Sequence, residues 1–527
     1  MLNNVEITNP VFDFSIDKSG SLSGSEDYLG IIGNRFLENF VVIIDYKNSI
    51  LYLKPNNDGN NKFEDKYAQR FLGFSSIDNT YSSEGWIVSG LFENEKNQGL
   101  ELGDIIIKVN KVSTTNILRK DFYKMFNRTV NELEIIRKNQ RLNVEFRKKC
   151  SMMKIDNLCH SAFVDTIKIL LYKEENEIFE KINFDEDEIF LDPLLFAYLN
   201  NKRDTSFSKE TLLEIVQGHY IKEEPLLIDH SLNKDGIAYI PNLGYFDKQG
   251  NKSEDIFKID NFEILKTIHP VLEKYFVEFY KGHIVNQNPS HKSVWKENYK
   301  ELQHSIHIIK EHLPEFYKEL LFANRKIYLH DNPKILNFAT VETLGMLYFY
   351  VIGNSNLIYY IEELIHQGSH NFLYYVVHNR KDYFKIDVDN IIMRALTKQD
   401  WDYRSVYGAF HGLYTVTKRV ECFDILLSKN VFSGKEKHEL LGRLTDQFSR
   451  FRTGLELLNL DEIYTEKGKL FYNELDQKCQ SILSKYKMLP SIFNLSNRDL
   501  DFRYEDFCTL NPITEFNEKD EQGIFKF

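Results

Sequence analysis

The apolar positions along this chain change their period near residue 150. In the first part, Val41-Val42-Ile43-Ile44 and Ile50-Leu51-Tyr52-Leu53 are β-branched or apolar runs. Lys47-Asn48-Ser49 lies between them, so the pattern predicts two strands joined by a hairpin-like turn. From Cys150 onward apolar residues recur at spacings of three and four. That period predicts helices over Asn157 to Leu171, Ser208 to Val216, Phe262 to Tyr280 and Ser293 to Leu321. Leu227 to Phe246 alternates and contains Gly, which predicts a small hairpin. Lys326 to His330 and Leu344 to Ile352 carry a β signal. Gly353-Asn354-Ser355-Asn356 then ends the strand and caps an amphipathic helix. His411 opens a further apolar helix that runs to Leu427. No repeat period is visible. The fold class expected is α+β and multidomain: a β-rich N-terminal part, then a mainly helical C-terminal domain with a small β element.

Composition narrows the function classes. The 527 residues are 42% hydrophobic and 27% charged, an ordinary balance for a folded soluble protein of several domains. A net charge of −12 argues against a general nucleic-acid or anionic-membrane binder. No apolar run approaches the ~20 residues of a membrane span. The first residues lack a basic region followed by an apolar core, so no signal peptide is expected. The five Cys form no C-x-x-C pair, which fits reduced thiols in a cytoplasm.

The candidate chemistry sits in the helix after Asn356. Four residues separate His366 from His370, so both imidazoles leave one helical face about a turn apart. Such a pair can reach one metal ion, as in H-E-x-x-H proteins. Here Gln367 stands where those proteins have the Glu that activates water. An amide has no usable basicity near neutral pH, so a water-activating peptidase is disfavoured. His411 is the candidate third ligand. The alternative is that the histidines are ordinary, partly buried structural residues, since an i,i+4 pair arises easily among fifteen His. His304, His307 and His312 share a helix without an i,i+4 pair and are expected to be solvated or packing residues.

Three stretches resemble known families. Asp27 to Phe40 and the run from Asp45 to Pro55 are similar to the end of a retropepsin-like aspartic protease. The Asp-Thr-Gly or Asp-Ser-Gly triplet is absent from the chain, and Asp17-Lys18-Ser19-Gly20 carries an inserted residue. Residues 1–62 therefore read as a remnant of such a domain. Residues 66–149 resemble a PDZ domain. Phe71-Leu72-Gly73-Phe74 matches its carboxylate-binding loop, and Gly99-Leu100-Glu101-Leu102-Gly103-Asp104 leads into its strand signature. The resemblance implies a helix over 116–127 and a peptide, or a peptide C-terminus, added as a strand at the sheet edge.

Residues 325–455, within a domain spanning 151–527, resemble the HExxH-type peptide β-hydroxylases, a 2-oxoglutarate-dependent iron family. Trp401, Arg404 and Gly408 to Gly412 match the family's later pattern. The resemblance implies an Fe(II) site of His366, His370 and His411, with Arg404 binding the distal carboxylate of 2-oxoglutarate. Such a neutral three-His set would leave more positive charge on the iron, favouring an anionic bidentate co-substrate. The competing expectations are a zinc peptidase relative lacking its base, and a non-catalytic peptide-binding scaffold.

Overall fold

The computed structural model describes residues 6–8, 40–45, 50–55, 62–64, 74–78, 85–91, most of 99–147, 157–201, 207–280, 283–286, 294–351, 355–452, 455–498 and 502–527. The chain forms two compact units, Met1–Met152 and Met153–Phe527. The first is β-rich among its described residues and the second mainly helical.

In the first unit, β1 (Glu6–Thr8) pairs in parallel with β4 (Lys62–Glu64). Strands β2 (Phe40–Asp45) and β3 (Ile50–Pro55) form the antiparallel hairpin that their apolar runs predict, with Val42 opposite Leu53. The larger sheet contains β5 (Phe74–Asp78), β6 (Trp86–Leu91), β7 (Ile105–Val109), β8 (Val112–Ser113), β9 (Val130–Arg137) and β10 (Gln140–Arg147). Its order is β10-β9-β7-β6-β5, with β8 on β7. The sheet closes over a core that includes Trp86, Ile106, Phe122, Phe126, Leu133 and Phe146. Trp86 stacks on Phe122 at 4.5 Å between ring centroids. Buried Asp104 receives two bonds from Arg137, at 2.8 and 2.7 Å, tying the loop before β7 to the end of β9. Phe71, Leu72, Gly73, most of the 116–127 stretch expected to be helical and the 27–39 stretch lie outside the described residues. Of the expected carboxylate loop, only the Phe74 backbone is described, where β5 begins.

The second unit begins with α1 (Asn157–Glu174), α2 (Pro193–Asn201) and α3 (Lys209–Val216), the last capped by Ser208. A hairpin of β11 (Ala238–Ile240) and β12 (Gly244–Phe246) falls inside the predicted 227–246 stretch, and β13 (Lys252–Glu254) extends it. A four-stranded sheet follows, ordered β14 (Phe257–Ile259), β15 (Phe262–Leu265), β18 (Lys326–His330) and β19 (Met346–Tyr350). β14 and β15 are antiparallel, and the other two pairings are parallel. Between β15 and β18 the chain forms a second hairpin, β16 (Val277–Tyr280) and β17 (His283–Asn286).

The helix predicted over Phe262 to Tyr280 is therefore a correction. That stretch holds β15, a single turn at Pro270–Glu273 and β16. All four residues of β15 are buried, because the strand lies inside the sheet and is covered on both faces. Such a strand shows no alternation and is easily mistaken for a helical segment. Ser293 to Leu321 is also two helices rather than one: α4 (Trp295–His312) and α5 (Pro314–Ala323). Pro314 lacks the N–H needed to continue α4 and starts α5 instead.

The remaining long helices are α6 (Leu357–Val376), α7 (Val406–Ser428), α8 (Gly434–Arg452) and α9 (Glu466–Lys485). α6 is the central element: it packs on α4, α5 and α7, and most of its residues are buried. Asn356 caps it by accepting from the Tyr359 N–H at 2.9 Å. Asn371 fixes it to the sheet, donating to the Met346 carbonyl of β19 at 3.0 Å. Gly368 allows the close approach of α5, since a Cβ there would meet Leu320 Cδ1 at 2.3 Å. α7 starts at Val406, with Ser405 accepting from Gly408 N–H at 3.0 Å. His411 therefore lies in the second turn of α7 rather than opening it. Lys418 of α7 reaches Glu319 of α5 at 2.6 Å, and both side chains are largely buried.

Candidate functional site

The seam between α6 and α7 is polar. On α6, Glu362, His366 and His370 follow each other at four-residue intervals, and on α7 so do His411, Thr415 and Arg419. That spacing places each set along one helical face. The three histidines meet there. The His366 and His370 ring centroids are 4.8 Å apart, and those of His370 and His411 are 3.7 Å apart. Tyr374 and Tyr407 flank His411 at 5.9 and 5.7 Å, and the Arg380 guanidinium lies 3.6 Å over the Tyr407 ring.

All three imidazoles are held neutral. Each is partly buried between the helices. Desolvation is the largest cause in every case and penalises the charged form. It pushes His366 and His370 well below the ordinary histidine value, with Arg419 adding to the effect on both. It lowers His411 to about 3, with a further contribution from Arg380. Lone pairs are therefore available at neutral pH. Among the described residues, the buried His370 Nδ1 and His411 Nε2 have no hydrogen-bond partner.

Gln367 occupies a defined place beside this group. Its amide nitrogen lies 3.2 Å from Glu363 Oε2 and 3.3 Å from His366 Nδ1. Donating to both puts the His366 proton on Nε2. Glu363 Oε2 itself stands 3.9 Å from His366 Nδ1, and the Gln367 amide donates to both.

Behind the histidines lies a buried ion network. Glu362 receives Arg419 Nη1 at 3.2 Å and also Arg443 Nη1. Arg443 is saturated on its other edge by Glu439, at 3.0 and 2.7 Å, and Glu439 accepts from Asn356 at 2.6 Å. The cap of α6 is thus wired to α8. Sequence reading missed this network, although the i,i+4 spacings from Glu362 to His366 and from Thr415 to Arg419 carried the signal.

Three neutral imidazoles form a donor set that suits a borderline divalent ion such as iron or zinc, although the His366 Nδ1 lone pair is engaged by the Gln367 amide. Their spacing is that of packed rings. Among the described residues, no group of three His, Cys, Asp or Glu side chains stands ready to hold an ion as placed. Metal bonds of about 2.0–2.1 Å would require His370 and His411 to part and the Gln367 amide to release His366. The donor chemistry fits; the ring positions have to adjust.

Arg404 is placed differently from the histidines. It grips buried Asp402 with a two-pronged contact, Nε to Oδ1 and Nη2 to Oδ2, each 2.8 Å. His304 and His307 are exposed on α4, and His312 is half-buried there.

A buried Glu214–Ser231–His269 cluster superficially has the parts of a catalytic triad. His269 Nδ1 accepts from the Val271 N–H at 3.2 Å, so the imidazole proton sits on Nε2 and points at Ser231 Oγ, 3.2 Å away. Ser231 in turn donates to Glu214 at 2.7 Å. The proton runs toward the serine rather than away from it, the reverse of nucleophile activation. The cluster caps the turn at Pro270–Glu273 and is structural.

Among the described residues no helix is long and apolar enough to cross a membrane. Set against known protein families, the chain matches no family model, and no curated protein matches it.

Proposed function

We propose that this protein is an Fe(II)- and 2-oxoglutarate-dependent hydroxylase acting on a ribosomally made peptide. The observation that carries the reading is the meeting of His366, His370 and His411, all held neutral, at a site where Gln367 replaces the base of a peptidase. His366, His370 and His411 would hold the iron. When bound, iron with 2-oxoglutarate supplies an oxidant from O₂, so no water-activating base is needed. The chain's own residues do the rest. Gln367, itself held by Glu363, sets the orientation and tautomer of His366. Tyr374 and Tyr407 wall off His411 and limit water. A guanidinium is needed for the distal carboxylate, and the family resemblance gives that role to Arg404. In the first unit, β5 is an edge strand among the described residues. It directly follows Phe71-Leu72-Gly73, which supports peptide capture by strand addition.

The test is turnover. Anaerobically purified protein given Fe(II), 2-oxoglutarate, O₂ and a short-peptide library should form succinate and add one oxygen to a subset of peptides. His411→Ala should abolish both products. Peptide cleavage without O₂ consumption would transfer the reading to the zinc peptidase relative.

A second reading has its own observation, the 3.7 Å contact of the His370 and His411 rings. In a non-catalytic peptide-binding scaffold that contact is the resting packing, and the protein would retain no metal under any purification.

A further inference from the structure

We infer that Arg419, in place of the Arg404 that the family resemblance implies, is the carboxylate-binding cation of this site, and that it receives one end of a small dicarboxylate ligand held beside His366, His370 and His411. The inference rests on the oxygenase reading only for the identity of the ligand, 2-oxoglutarate. The anion site itself rests on the position and the pairing of Arg419.

The first observation is position. Arg419 lies two turns beyond His411 on the same face of α7, and Glu362, with which it pairs, lies one turn before His366 on α6. The guanidinium thus shares the seam with the three imidazoles. Its charge acts on both His366 and His370.

The second observation is incomplete pairing. The Arg419 side chain is only 4% exposed. Of its five N–H donors, it uses Nη1 toward Glu362 at 3.2 Å and Nε toward the Thr415 carbonyl at a long 3.4 Å. Among the described residues, Nη2 makes no hydrogen bond. Arg443, one network step away, has both edges occupied by Glu362 and Glu439. Arg450 is paired with Asp446 at 2.6 Å. Arg404 has two prongs on Asp402. A buried guanidinium with an open edge is costly unless an anion or water completes it. A planar fork beside neutral metal-type donors suits a carboxylate bound at two points.

The experiment is carboxylate binding to protein loaded with redox-inert Zn(II), followed by calorimetry with 2-oxoglutarate and, separately, succinate. Metal content is measured on the same samples. Arg419→Gln should weaken binding of both by roughly 10- to 100-fold, the loss of one or two charge-assisted bonds, with metal content unchanged. Arg419→Lys keeps a charge against Glu362 and protects the fold. It should still weaken binding about tenfold, because a point charge replaces the fork. Wild-type affinity in both variants would overturn the inference, as would absence of carboxylate binding in the wild type. A loss seen in Arg404→Lys but not in Arg419→Lys would also overturn it. Arg419-dependent binding without succinate formation would remove the oxygenase reading and leave the anion site standing.

Discussion

The rings of His370 and His411 are in contact across the α6–α7 seam, with centroids 3.7 Å apart. Two imidazoles this close cannot both be charged. The contact therefore couples the site's protonation to the packing of the two helices that build it.

Acid should destabilise the protein before its carboxylates titrate. Burial lowers His269 to about 3 and His330 and His438 to about 4, while His411 lies at about 3. The unfolded chain takes up those protons near pH 6.5. A depressed histidine thus contributes stability that is complete above its unfolded pKa. That stability is lost as pH falls toward the folded value, at up to ~1.4 kcal/mol per unit for each residue. Urea midpoints measured at pH 7.5 and pH 5 should differ clearly. Equal midpoints would show that these rings are not held neutral.

Gly368→Ala should destabilise by about 1–3 kcal/mol through overpacking, because the added methyl meets Leu320 Cδ1 at 2.3 Å. The physical signature is non-additivity: Leu320→Ala should cost less in the Gly368→Ala background than alone. Additive losses in a double-mutant cycle would mean that the α5–α6 contact is not the cause.

Arg443→Ala should cost about 3–5 kcal/mol, the range for removing one partner of a buried ion pair. It leaves Glu439 without its guanidinium and Glu362 with only Arg419. A loss within 1 kcal/mol by chemical denaturation would show that water has access to the network.

Gln367→Glu should not create a peptidase. The new carboxylate would stand where the amide now contacts Glu363 at 3.2 Å, and two enclosed carboxylates at that range share a proton. One pKa rises, so the variant should lose stability relative to wild type as pH is raised from the unfolded Glu value of about 4.3 through the raised one. Zinc-dependent cleavage of a fluorogenic peptide by this variant would contradict the assignment.

The sequence alone determined the local elements. The β-branched runs specified the β2–β3 hairpin because strand preference and turn residues act over a few positions. Asn356 marked a helix start because a cap needs only its own side chain and the next turn, whereas the start of α7 at Ser405, about one and a half turns before His411, was missed. The four-residue spacing put His366 and His370 on one face for the same local reason. Where burial is two-sided, local pattern failed: β15 is apolar throughout because the sheet around it, not its own sequence, decides which faces are covered. The meeting of His411 with the α6 pair, the fork of Arg404 on Asp402 and the open edge of Arg419 were decided by tertiary packing. Each depends on how α6, α7 and α8 lie against one another, and that arrangement is fixed by contacts between residues far apart in the chain.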